Sequence, residues 1–463
     1  MHNLAFETIG NATLICYDKN PILVTDPWIN GSPYFGSWQH SHEIPKNQLE
    51  AIKLSKYCWF SHGHPDHLDF ESLHLVKGKT LLIPDHYGKR IFYDLTDQGF
   101  EVKILKDKKW YKLSNNIKIL CISHVNQDAL LVVLIGNKLI LNFNDCPMLD
   151  EFGKKYISKI IKKSSISFLL KLTGCVDADM INFYDKDNNF IPLSLHSSNH
   201  PLGPKISKTI DELGVDYFIP FSSMHRYQRN DSIWANQFGT ELEDYDNGFS
   251  SKNCEILPAF IRYDCKNERL VEINPDKLLI NNIPPERFND YWSDELEQVD
   301  YEKVKTYFTK VKHLYKFLDY INVRVGGKDN IISLKKKQFN RGLQFEAPRF
   351  SLMQAVDNKI FDDLLIGNFM KTTLYGKWPE TKLYPDFTPY VAKYSDNGNV
   401  NTDIELEKYF RTYNLRWPLL HLTRSLAVIS KNAVRNYIPK KTKFYNFAQK
   451  TYHSIKKIKT KIP

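Results

Sequence analysis

Ser61-His62-Gly63-His64-Pro65-Asp66-His67 is the stretch on which the reading of this chain turns. Two histidines at i and i+2 on extended backbone project to the same side, so His62 and His64 can share one metal ion. Asp66 and His67 follow a proline-constrained turn and can face a second metal beside the first. The segment Gln48 to Trp59 reads as a short helix and then a strand that runs into Phe60-Ser61-His62, and a strand ending in such a loop is a rigid platform for a dinuclear site.

Two metals need further ligands, and the strand ends supply candidates. His124 follows IKILCIS, Asp145 follows KLILNFN, and His225 follows YFIPFSSM. A carboxylate can bridge two cations, which a neutral imidazole cannot. The reading therefore assigns His62, His64 and His124 to one metal, Asp66, His67 and His225 to the other, and Asp145 between them. Asp66 takes a second role, orienting a bridging hydroxide and moving its proton. His196 and His200, in LHSSNH, are rivals of His225 and otherwise candidates to reach the substrate. Asp26 ends a strand and shapes the rim of the site, and Cys146 beside Asp145 reads as a buried, inert thiol.

Outward from the box, LAFETIG, ATLICY and PILVTD are short β-branched and aromatic runs separated by turn residues, a meander. Gly136-Asn137 marks a hairpin between two further strands. Strands in bulk with helices between them predict an α/β body on a two-sheet core over residues 1–270. A proline-containing connector follows over 271–300. Tyr301 to Ile321 carries a helical stripe, Gly326-Gly327 a hairpin and Ser351 to Ile366 a second helix, read as a separate α+β domain over 301–430.

The formal charge of +10 is concentrated at the end of the chain: residues 431–463 hold ten Lys and Arg and no Asp or Glu, so the rest is close to neutral. That argues against a long polyanion groove, and nucleic acid is not an expected partner. The basic tail, with Phe444, Tyr445 and Phe447 among its lysines, suggests an amphipathic segment docking on acidic lipid. Seven cysteines without a Cys-x-x-Cys pair fit reduced thiols. No apolar run approaches the ~20 residues of a membrane-spanning helix. The opening residues lack a leader pattern, so a cytoplasmic protein, peripheral to a membrane at most, is expected.

The box, the later His, Asp and His, and the opening ILVTDPWINGS resemble the metallo-β-lactamase superfamily. VTDPWINGSPYFGSW, CWFSHGHPDHLDFESL and LILNFNDC are similar to the metallo-β-lactamase domain of CMP-N-acetylneuraminate hydroxylases, over about residues 1–265. The resemblance implies a four-layer αββα sandwich with a metal site at one edge. Vertebrate members carry a Rieske domain before this sandwich, and its paired Cys-x-His and Cys-x-x-His boxes are absent from the chain.

The leading expectation is a dinuclear hydrolase, with zinc first and iron or manganese as alternatives. It would cleave an ester-like or phosphodiester bond in a small molecule, a nucleotide sugar or a lipid. The alternatives are a diiron monooxygenase supplied with electrons by a separate protein, and a non-catalytic metal-binding module. A fainter similarity of SLMQAVDNKIFDDLLIGNFMKTTLYG to sterol-carrier-like domains gives the later region an apolar-ligand reading, beside an ordinary packing or oligomerisation role.

Overall fold

A computed structural model describes residues 4–174, 180–192, 201–395 and 398–417. The meander forms as expected: strands Leu4–Ile9, Thr13–Asp18 and Asn20–Thr25 pair antiparallel, in an eight-stranded sheet completed by Tyr57–Trp59, Thr80–Pro84, Glu101–Leu105, Ile261–Asp264 and Arg269–Glu272. From Asn20–Thr25 towards Glu101–Leu105 the pairings turn parallel. A second, seven-stranded sheet is built on Ile117–Ser123, Ala129–Ile135, Lys138–Asn144, Ile166–Lys171 and Tyr217–Pro220, with the hairpin at Gly136-Asn137 closing Ala129–Ile135 onto Lys138–Asn144.

Alternation along the first strands decides which sheet face meets which layer. Phe6, Leu14, Cys16 and Leu23 point into a core shared with Ile119, Leu131, Val133, Ile140 and Phe168 of the second sheet. Their neighbours Ala5, Ile15, Tyr17 and Val24 point the other way, onto Ala51 and Ile52 of helix Lys46–Leu54 and Ile91 and Leu95 of helix Arg90–Asp97. This is the period-2 rule for a strand buried on both faces. In the second sheet, helices Glu151–Ile161 and Gly203–Leu213 lie in the crossovers between parallel strands and pack against each other, burying Ile157, Ile206 and Ile210. The body is thus the α/β sandwich that the resemblance implies.

The later region departs from the expectation of a separate domain over 301–430. Met1 to Tyr409 is one compact unit. A five-stranded sheet joins Tyr320–Val325, Lys328–Ser333, Gly342–Glu346 and Lys371–Tyr375 to Phe183–Asp185, a strand from the earlier body. Buried polar bonds add to this: Arg229 reaches Asp290 at 2.7 Å, and Asn368 accepts from the Ile181 amide at 2.9 Å. The residues 271–300 are therefore tied down rather than a free connector. The helical stripe of 301–321 resolves into helix Gln298–Lys310, a 3₁₀ turn and strand Tyr320–Val325. The helix expected over 351–366 breaks into Arg349–Asp357 and Phe361–Ile366, with Lys359 at φ 58° between them. Phe410–Pro463 forms the second unit, and of it only the residues through 417 are described. The basic tail, with its suggested lipid contact, lies outside the described residues, as do His196 and His200.

Candidate metal centre

Strand ends from both sheets converge at one edge of the sandwich. Tyr57–Trp59 lies between two parallel neighbours, so its carboxyl end, continuing into Ser61 to His67, opens on the crevice where parallel strands place ligands. Lys138–Asn144 of the facing sheet delivers Asp145, and Tyr217–Pro220 delivers Ser222 and His225.

Two groups of side chains offer ligand atoms within 4.8 Å of one another: His62, His64 and Asp145, and Asp66, His67 and Asp145. Asp145 belongs to both, the geometry expected of a carboxylate between two cations. Its Oδ2 lies 3.3 Å from His67 Nε2 and 3.9 Å from His62 Nε2. His62 Nε2 and His64 Nδ1 are 2.9 Å apart, and His67 Nε2 is 3.3 Å from Asp66 Oδ2. Imidazole nitrogens and carboxylate oxygens crowded this closely in a largely buried place match the hard-to-borderline donor set of zinc, iron or manganese.

The residues behind the ligand candidates fix their orientation. Asp26 is fully buried at φ 41°; its Oδ1 accepts from the Ser61 amide at 2.7 Å, and its Oδ2 stands 3.4 Å from His67 Nδ1. That contact leaves Nε2 of His67 turned towards Asp66 and Asp145, the arrangement by which outer carboxylates orient metal-facing histidines. Ser61 Oγ is 2.9 Å from His62 Nδ1. Ser222, in the left-handed region at φ 63°, donates to Asp145 Oδ1 at 2.6 Å.

Electrostatics follow from this packing. Burial acts to raise Asp145, but His67 and His62 outweigh it and hold the carboxyl below the usual range. Burial acts to lower His67, and Asp66 and Asp145 instead raise it well above the ordinary value. His62 is held low by burial and by His67 and His64.

The other two predicted ligands sit differently. His124 lies in neither group; its backbone amide closes the turn onto Asp128 at 2.8 Å and its Nδ1 accepts from the Asn126 amide at 3.3 Å. Asp128, four residues on, lines the cavity with His62, His64 and Asp145, and burial together with Asp145 pushes its carboxyl up to about 7. His225 is buried with its ring stacked on Trp38 at 3.4 Å, and its Nδ1 has no hydrogen-bond partner among the described residues. Burial lowers its pKa to about 3, with Asp66 and Asp145 acting the other way, so it faces the second group without joining it within 4.8 Å. Cys146 is buried, with its thiol raised by desolvation, in keeping with an inert role.

In sequence, the chain is 26% identical to the inactive cytidine monophosphate-N-acetylneuraminic acid hydroxylase of Homo sapiens over 133 residues, 27% of this chain and 26% of that one. The cytidine monophosphate-N-acetylneuraminic acid hydroxylase of Pongo pygmaeus is 27% identical over 133 residues, 27% of this chain and 23% of the relative. The matched stretch spans about a quarter of each relative's length. Over that stretch the chain is similar to these hydroxylases. No family model matches it.

Among solved structures, CmlA, a diiron β-hydroxylase from Streptomyces venezuelae, aligns at 14% identity and TM-score 0.36, covering 59% of this chain and 55% of its own. The isothiocyanate hydrolase from Delia radicum gut bacteria aligns at 13% and 0.34, covering 56% and 99%. Among the described residues no helix is long and apolar enough to cross a membrane.

Several residues around this site carry no sequence motif. Asn11, in a turn after the first strand, donates to Asp66 Oδ2 at 2.8 Å, and Tyr34 donates to Asp66 Oδ1. Asp362, from helix Phe361–Ile366, places its Oδ2 3.5 Å from His64 Nε2. His40 pairs across a two-stranded ribbon with His225 and stacks on Trp28 at 3.8 Å. Only the sequence SPYFGSW, through its resemblance, hinted at Tyr34; the rest are brought in by contacts distant along the chain.

Proposed function

We propose that the chain is a dinuclear metal-dependent hydrolase that cleaves an ester-like or phosphodiester bond in a small molecule, with zinc as the first candidate for its metal. The observation that carries this reading is the sharing of Asp145 between the His62–His64 and Asp66–His67 groups. His62, His64, Asp66, His67 and Asp145 would hold two divalent cations, which would supply a hydroxide nucleophile at neutral pH and offset charge developing on the substrate. Asp66, with both oxygens engaged by Asn11 and Tyr34, is held in one orientation and is suited to position a proton. The cavity of about 240 Å³ above His62, His64 and Asp145 suits a small substrate, or the reacting end of a larger one such as a nucleotide sugar or lipid.

A second reading, a monooxygenase supplied with electrons by a separate protein, is favoured by Asp128. A third carboxylate near the His62–His64 group makes the donor set harder and suits iron or manganese as well as zinc. The matched relatives are named hydroxylases, which agrees with it.

The test is the metal content of full-length protein purified without oxygen or added metal, followed by assays with bis(p-nitrophenyl) phosphate and p-nitrophenyl acetate. About two zinc ions per chain and hydrolysis lost in His64→Ala and Asp145→Ala support the hydrolase. About two iron ions, no hydrolysis, and reductant-dependent oxygen consumption replace it with the second reading. Bound metal with neither activity favours a non-catalytic module.

A further inference from the structure

The cavity over the metal-facing residues has a wall that the later part of the chain supplies: Tyr384, Thr388 and Lys393 face His62, His64 and Asp145 across it. Two groups in that wall are set for a ligand. Gln127 lines the cavity and is 3% exposed; its Nε2 donates to the Ala392 carbonyl at 2.9 Å, which fixes its Oε1 as an acceptor. That Oε1 is buried and has no hydrogen-bond partner among the described residues. A buried acceptor without a donor is costly, and at a cavity wall the missing donor is one that a ligand can bring.

Lys393 lines the same cavity and is 4% exposed, with its Nζ anchored on the Pro389 carbonyl at 2.8 Å. Burial lowers its pKa to about 8, which still leaves the ammonium charged at neutral pH. Asp128, which lines the same cavity, is an acidic group that acts on it. A buried ammonium at a cavity wall is placed to meet an anion that enters the cavity.

We propose that this wall selects a small hydroxylated anion: its carboxylate or phosphate pairs with Lys393, and a hydroxyl or amide N–H donates to Gln127 Oε1. The expectation that the reacting bond then lies over His62, His64 and Asp145 rests on the hydrolase reading; the binding chemistry of Lys393 and Gln127 does not.

The test is calorimetric titration of the full-length, metal-loaded chain with glycerol 1-phosphate, glycerate, ethyl phosphate and glycerol, with metal content measured on each sample. Glycerol 1-phosphate or glycerate should bind, and whichever binds tells phosphate from carboxylate; glycerol should not bind. In the phosphate case ethyl phosphate, which lacks the hydroxyl, should bind several-fold more weakly than glycerol 1-phosphate. Lys393→Met should weaken the anion tenfold or more and Lys393→Arg should recover part of it. Gln127→Met, which tests the wall independently should Lys393→Met not fold, should weaken the hydroxylated anion with unchanged metal content. Equal affinities in wild type and both variants, or no anion binding by a chain that holds its metals, overturn the inference. A chain that takes up no metal overturns the hydrolase reading instead. The same titrations on that metal-free chain still read the loss at Lys393→Met, and its absence there overturns the inference too.

Discussion

The hydroxyl of Tyr34 donates to one oxygen of Asp66 while Asn11 donates to the other, so the carboxylate's orientation is set before any metal arrives. Tyr34 and Phe35 hold left-handed backbone, at φ 55° and 58°, and Tyr34 packs on Trp38 with ring centroids 4.4 Å apart. Unfavourable backbone retained beside a site is most simply read as serving it. Burial and Asp66 raise the Tyr34 hydroxyl well above its ordinary pKa, so it stays a donor. Tyr34→Phe is expected to weaken metal binding at the Asp66–His67 group by roughly 10–100-fold, the usual effect of losing an outer partner. Competition with a calibrated chelator measures it, with the melting temperature as control for folding.

Asp145 belongs to both ligand groups, whereas Asp362 touches only His64. Asp145→Ala should therefore reduce bound metal to below one ion per chain. Asp362→Asn should leave the stoichiometry near two. Inductively coupled plasma analysis of the two variants side by side distinguishes a shared ligand from a neighbouring one, and equal losses would refute the bridging assignment.

Arg229 is fully buried, bonds Asp231 and Asp290, and lies over the ring of Phe369 at 3.9 Å. It thus joins the earlier body to residues on either side of the later region. Removing one member of a buried pair costs about 3–5 kcal/mol, because the remaining charge is stranded. Asp290→Ala should lose an amount towards the lower end of that range, since Asp231 still pairs with Arg229. Urea denaturation should show the whole transition moving to lower concentration rather than a separate early phase.

The pH dependence of the metal-free chain follows from buried histidines. His40 has ring nitrogens that are buried without a hydrogen bond of ordinary geometry, and only a contact to the Trp28 backbone. Burial lowers its pKa to about 4, and it lowers that of His124 to about 4 as well. Between about pH 6.5 and 4 the unfolded chain takes up protons at these positions and the folded chain does not, so the contribution of these two histidines to stability falls as the pH falls. Asp128, with its carboxyl pushed up to about 7, acts in the opposite sense over this range, so the histidine contribution is read as a difference: relative to wild type, His40→Gln should lose less, or gain more, in urea midpoint between pH 7 and pH 5.

The parts of this molecule legible in its sequence are those with local patterns. Alternation in LAFETIG and ATLICY gave the strands, and the spacing of His62, His64, Asp66 and His67 gave the metal box, because in both cases neighbours along the chain are neighbours in space. Asp128 was invisible for the opposite reason. His124 ends its strand, but the turn through Gln127, at φ 73°, leaves Asp128 as the one of the two that lines the cavity. Residues 301–430 read as a domain of their own because the helices and hairpin up to Tyr409 are local. The strand pairing at Phe183–Asp185 and the Arg229–Asp290 contact, which join them to the rest, leave no periodic trace.

The contact between His64 and Asp362 means that the box and the lid over it belong to different stretches of one folded unit. Asp362 and Lys393 border the cavity from the later stretch, and the loop of residues 61–67 brings the ligand candidates His62 and His64 to it. A fragment cut near residue 270 would keep the box of residues 61–67 and lose that wall, leaving the box open on that side. In this chain, the stretch that carries the box and the stretch that walls its cavity are far apart in sequence and joined only by folding.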